Sequence, residues 1–174
     1  PLITYCLRNL NSFNVNESNI EGLPSEIRFL SHLVHMNLFQ NENLTHLADE
    51  IGQLTQLTSL HISGSRKLTY LPVAIGKLIN LTGLSITHSS LEDVPSSINK
   101  LQQLQSLDLS GNHLVGLPHN LKELSSVRSL KLNNNPIMSS LQELTALVNL
   151  RQLYLVGCGM KEVPVAITEM TMLE

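Results

Sequence analysis

Residues 104–126 read LQSLDLSGNHLVGLPHNLKELSS, and their spacing decides the fold. Apolar residues stand at Leu104, Leu107, Leu109, Leu114, Leu117, Leu121 and Leu124, with Asn112 among them and Pro118 after Leu117. At Val127, 23 residues on, the pattern begins again. The template LxxLxLxxNxLxxLPxxIxxLxx fits seven copies, beginning at Leu10, Leu33, Leu57, Leu81, Leu104, Val127 and Leu150. The second and third carry one extra residue just after the Asn position, here Asn41 and Ser65. Leu173 opens a further copy, and residues 1–9 read as the tail of an earlier one. A fixed period of this length marks a stack of coils, each burying its apolar face against its neighbours.

Each part of the template has a physical reading. The LxLxx segment alternates with period two, which predicts a short strand with its leucines on one face. Strands repeated once per coil pair in parallel, giving an α/β solenoid with a curved parallel sheet on its concave face and short helical or 3-10 segments on its convex face. The ninth position holds Ser18, Asn41, Ser65, Ser89, Asn112, Asn135 and Cys158. All can hydrogen-bond, Cys weakly, and stacking places them in a ladder along the solenoid. Gly64, Gly111 and Gly157 come just before that position and relieve a tight backbone turn. In Leu23-Pro24, Leu71-Pro72 and Leu117-Pro118 the proline presets φ for a helical turn without wasting a donor. The sixth copy lacks Leu-Pro and reads Met138-Ser139-Ser140-Leu141, so a serine-capped, longer α-helical segment through Leu144 and Leu147 is expected there.

The whole chain, residues 1–174, reads as a single domain. Neither end carries a polar cap, which predicts a fragment of a longer protein. Two cysteines, Cys6 and Cys158, make no disulfide framework. They stand about six strand spacings apart, too far to bridge. Three glycosylation triplets, at Asn16, Asn43 and Asn80, are weak evidence for secretion beside that lack. The charge of −3 is spread evenly, aromatics are 3%, and no apolar run reaches membrane-spanning length. Nucleic acid, membrane and small-molecule cofactors are therefore not expected as partners.

The stretch Leu71-Pro72-Val73-Ala74-Ile75-Gly76-Lys77-Leu78 carries a Leu-Pro-x-x-Ile-Gly-x-Leu signature. A second copy, residues 47–54, has Ala48 in place of the proline. The chain resembles the 23-residue class of leucine-rich repeats found in Ras-suppressor and Scribble-like scaffolds. Ser63-Gly64-Ser65-Arg66-Lys67-Leu68 is similar to plant intracellular immune receptors, and bacterial effectors carry similar repeats. The resemblance implies a protein-binding module, often joined to a separate catalytic or signalling domain.

Catalytic motifs are missing: no phosphate loop, no HExxH, no GxSxG. Cys158 fills a ladder position with no adjacent base, so an enzyme is not expected. A partner would meet the outward strand positions, which are mostly small and uncharged. Two clusters break that pattern. His35, Asn37, Phe39 and His61 form one, in which Phe39 offers an aromatic anchor. The two histidines lie diagonally on neighbouring strands with only His88 near, short of a metal ligand set. Asp108, Arg128, Lys131, Arg151 and Tyr154 form the other. Asp108, Lys131 and Tyr154 fall in one column, spaced for an ion pair and a cation–π contact.

These nine residues are the expected contact set for a protein partner, with cofactors none. The function expected is that of an interaction module in a cytoplasmic scaffold, receptor or secreted effector. Two alternatives stand beside it. One is the substrate-recognition part of an enzyme such as a ubiquitin ligase. The other is an extracellular ligand-binding ectodomain.

Overall fold

The computed structural model describes residues 7, 9–138 and 141–174, without the side chain of His119. Cys6 and the expected serine cap at Ser139 or Ser140 lie outside them. Seven strands form one parallel sheet in chain order: β1 (Ser12–Asn14), β2 (His35–Phe39), β3 (Ser59–Ser63), β4 (Gly83–Thr87), β5 (Ser106–Asp108), β6 (Ser129–Lys131) and β7 (Gln152–Tyr154). Equivalent template positions face each other throughout: Leu60 pairs Leu84, Leu84 pairs Leu107, Leu107 pairs Leu130. β1, β5, β6 and β7 are three residues long, shorter than the five that alternation predicts. At β5 the Asp108 carboxylate accepts the Ser110 N–H at 3.0 Å and turns the chain. At β1 the pairing outlasts the strand, since Val15 N–H still donates to the Asn37 carbonyl at 3.0 Å.

Behind the sheet run five-residue 3-10 segments, such as Ser25–Phe29, Val73–Lys77 and Ser96–Lys100. Proline or alanine precedes most of them with φ already near its helical value, −64° at both Ala48 and Pro72. The sixth coil corrects the expectation of a long α-helix: Gln142–Ala146 is another five-residue 3-10 segment. Its leucines explain why. Leu141, Leu144, Leu147 and Leu150 recur every third residue, and the N–H of each of the last three bonds the carbonyl three back at 2.9–3.0 Å. Side chains three apart eclipse in a 3-10 helix, whereas an α-helix would rotate them off the core. Among the described residues, a true α-helix, α1 (Val165–Thr168), appears only in the seventh coil.

The apolar positions make one continuous core from Leu23 to Cys158. The ladder runs through it. Asn41, Asn112 and Asn135 are buried, and each accepts an N–H from the preceding coil while donating to that coil's carbonyl. The Cys158 thiol donates to the Leu132 carbonyl at 3.2 Å. Gly52 and Gly76 of the Ile-Gly pairs let neighbouring coils touch: a Cβ on Gly52 would stand 2.6 Å from the Ala74 carbonyl oxygen.

Candidate functional site

The outward residues of the strands build the surface. Register aligns Asn14, Asn37, His61, Ser85, Asp108, Lys131 and Tyr154 into a single column crossing the whole sheet. At the C-terminal half of that column Lys131 Nζ lies 3.8 Å from Asp108 and 5.5 Å from the centre of the Tyr154 ring. The expected column of acid, base and ring is therefore formed. Both charged side chains keep solvent contact, so the pair itself adds little stability. Its effect is to hold the ammonium beside the ring. Tyr154 remains 39% exposed and presents its ring to solvent.

Arg128 and Arg151 stand one position before β6 and β7, and both are exposed. Their surroundings differ. Arg151 is tied to the Glu174 carboxylate at 3.0 Å, while Arg128 has no ion-pair partner among the described residues. Among the described residues Arg128 is thus the cation of this cluster without an ion-pair partner.

The first cluster sits on β2 and β3. His35 pairs Ser59 and His61 pairs Asn37, so the histidines lie diagonally, not opposite. Among the described residues no three His, Cys, Asp or Glu side chains gather closely enough to hold a metal. Phe39 is 40% exposed, and its register partner is Ser63. Its N–H donates to the Asn16 side chain at 3.0 Å. The same device recurs at the other end, where Val156 N–H donates to Asn133 at 2.8 Å. The two clusters do not meet. Gly83 and Ser85 of β4 lie between them.

Sequence reading passed over the loops that follow β2–β4. There the extra residue of the second and third coils brings Glu42 and Arg66 to the surface beside Phe39 and His88. The signal was present in that insertion, and in the eighth template position. Glu17, Gln40, Gly64, His88, Gly111, Asn134 and Gly157 all stand there with positive φ, between 49° and 73°.

Residues 64–174 match the model of the leucine-rich repeat region. The chain belongs to the leucine-rich repeat family. Its solved relatives share the fold. A leucine-rich repeat protein of Leptospira interrogans is 31% identical, with a TM-score of 0.74, over 97% of this chain and 48% of that one. The leucine-rich repeat domain of the type III effector XopL is 27% identical, with a TM-score of 0.82, over 90% and 55%. The plant peptide hormone receptor RGFR1, solved in complex with RGF2, is 29% identical, with a TM-score of 0.82, over 99% and 29%. The chain therefore spans about half or less of the structures it matches. No curated relative matches by sequence. Leucine-rich repeat folds are typically protein-interaction modules and generally not catalysts.

Proposed function

We propose that this leucine-rich repeat domain is a single interaction module that binds a partner protein through the concave face of its sheet, in the cytoplasm, as part of a scaffold, receptor or effector. The observation that carries this reading is the distribution of large side chains. Phe39 and Tyr154 keep 40% and 39% of their surface exposed on a face whose other residues are mostly Ser, Gly, Asn and Thr, with His35, His61, Asp108, Lys131 and Gln152 among them. Exposed aromatics beside unpaired or ring-bound cations are the usual anchors of protein interfaces. The similar plant receptor RGFR1, solved in complex with RGF2, gives the reading support from the same fold.

The test is cross-linking of the chain to its partners, followed by identification of the cross-linked residues. Partner peptides should attach near β2–β3 and β5–β7. A captured protein should be lost with Phe39→Ala or Tyr154→Ala and kept with Lys77→Ala on the other face. Capture that survives both face variants and fails with Lys77→Ala rejects the reading. The likeness to a hormone receptor also favours a second reading, an extracellular ectodomain. Glycan mass at Asn43 or Asn80 in the native protein would select it over the cytoplasmic one.

A further inference from the structure

At the C-terminal ends of β2–β4 a cleft of about 390 Å³ opens beside the sheet face. Its shape comes from the eighth template position. Gln40 and His88 keep side chains there at φ 51° and 49°, in a left-handed backbone that suits glycine best. Gly64, between them in the stack, leaves a notch: a Cβ on it would stand 3.4 Å from the Cα and the Cγ of Gln40. Phe39 lines the cleft, and its register neighbours Ser63 and Thr87 are too small to cover the ring. Ser63 accepts the Thr87 hydroxyl at 2.9 Å, and its own proton has no acceptor among the described residues.

The charges come from the two lengthened loops. Neither Glu42 nor Arg66 is ion-paired among the described residues, although Lys67 beside Arg66 is held by Asn43 at 2.8 Å. Their order across the cleft is fixed by the coils they belong to: Glu42 in the second, Arg66 in the third, His88 in the fourth. The guanidinium can meet a carboxylate with two parallel N–H donors, and an imidazole adds a third on one side only. A second acid on the other side would face Glu42.

Resting on the reading that this domain binds proteins, we propose that the cleft takes a partner segment in which an aromatic or leucine-type side chain stands next to a single Asp or Glu. The apolar side chain enters the Gly64 notch against Phe39. The carboxylate pairs with Arg66 on its His88 side.

The probe is a phage-displayed library of random heptapeptides panned on the immobilised chain, with the best sequence synthesised and titrated by fluorescence polarisation. Enriched peptides should carry an acid directly beside an aromatic or leucine residue. Phe39→Ala and Arg66→Glu should each weaken binding at least tenfold, and Arg66→Glu should enrich basic residues in place of the acid. Lys77→Glu and Lys100→Glu, in the 3-10 segments behind the sheet, should leave it within twofold. Urea unfolding of each variant separates lost binding from lost fold, and Phe39 and Arg66 are both exposed. The proposal is overturned by no enrichment over bare resin, by enriched peptides without the acid, or by binding indifferent to Phe39 and Arg66. Peptides that depend on Tyr154 alone overturn the cleft and leave the sheet-face reading standing. Peptides that need the cleft, with partner capture indifferent to the sheet face, do the reverse.

Discussion

Removing one rung of the buried ladder, Asn112→Ala, tests how the coils are held together. Asn112 is 3% exposed. Its side-chain oxygen accepts the Leu91 N–H at 3.1 Å, and its amide donates to the Ile86 and Leu109 carbonyls at 2.8 Å each. Leu109 keeps another donor after the change, since Asn135 also reaches it at 2.9 Å. Two groups are therefore orphaned, the Leu91 N–H and the Ile86 carbonyl. An orphaned buried group costs about 1–3 kcal/mol. Two of them give roughly 2–6 kcal/mol, and a water entering the vacated space brings the expectation to about 3. The control is Asn133→Ala. Asn133 also accepts an inter-coil N–H, from Val156 at 2.8 Å, but half in solvent, where water replaces it at a cost of about 1 kcal/mol or less. Urea unfolding with hydrogen exchange reads both variants. Leu91 amide protection should fall by roughly a hundredfold in Asn112→Ala, at about 1.4 kcal/mol per decade. Leu114, whose N–H is bound by Asn135, should change much less. Equal losses in the two variants, or unchanged Leu91 protection, would mean that the ladder does not join the coils.

Leu107→Ala should cost about 2–5 kcal/mol in urea unfolding, because Leu107 is 1% exposed between Leu84 and Leu130; a loss under about 0.5 kcal/mol would show a misassigned register. Gly76→Ala drives a methyl into the Ser97 carbonyl and should cost about 1–3 kcal/mol, whereas Gly83→Ala meets nothing within 4 Å and should be neutral or gain about 0.5. Thermal melts that rank the two the other way round would refute the close stacking of the Ile-Gly pairs. Gln40→Gly should raise stability by about 0.5–1 kcal/mol, since relief of the left-handed backbone outweighs the entropy that glycine loses on folding; a destabilised variant would show that the Gln40 side chain holds the fold. For a partner that engages both clusters, the affinity losses of Phe39→Ala and Tyr154→Ala should add within about 0.5 kcal/mol, as expected of sites far apart.

The interior was legible because every coil repeats one physical problem. Leucines at fixed positions and a hydrogen-bonding ninth residue are forced wherever coils stack, and Leu-Pro recurs at Leu23, Leu71 and Leu117, so seven copies repeat one message. The misreadings fell where one spacing serves two periods. Leu141, Leu144 and Leu147 read as one face of an α-helix, yet steps of three suit a 3-10 turn equally well, and stacking on identical neighbours selected it. Strand lengths escaped for a similar reason: Asp108 looks like any outward polar residue until its carboxylate is seen capping Ser110. The column of Asp108, Lys131 and Tyr154 was readable because register fixes neighbours once the period is known. The cleft was not, because its floor is a missing side chain and its charges sit in inserted residues that the template ignores.

The solenoid thus keeps two requirements on separate residues. Stability resides in side chains that point inward and are shared by adjacent coils, so each coil constrains the next. On the proposed reading, recognition resides in outward positions, which neighbouring coils touch only through surface contacts such as Lys131 with Asp108. A coil can exchange Ser85 for Asp108, Lys131 or Tyr154 at one column position without disturbing Leu84, Leu107, Leu130 or Leu153 beside it. Family membership therefore fixes the inward set and leaves the outward one free, and function has to be sought in departures from the local average. Here the departures are few and widely placed. From β2 to β6 is four strand spacings, roughly 19 Å at about 4.8 Å each. An extended peptide advances about 3.3 Å per residue, so a segment of about six residues laid across the strands reaches from Phe39 to Lys131. Between those ends it crosses β3–β5, where His61 and Asp108 are the larger polar side chains and Gly83, Ser85 and Thr87 leave a low floor that admits close approach of backbone.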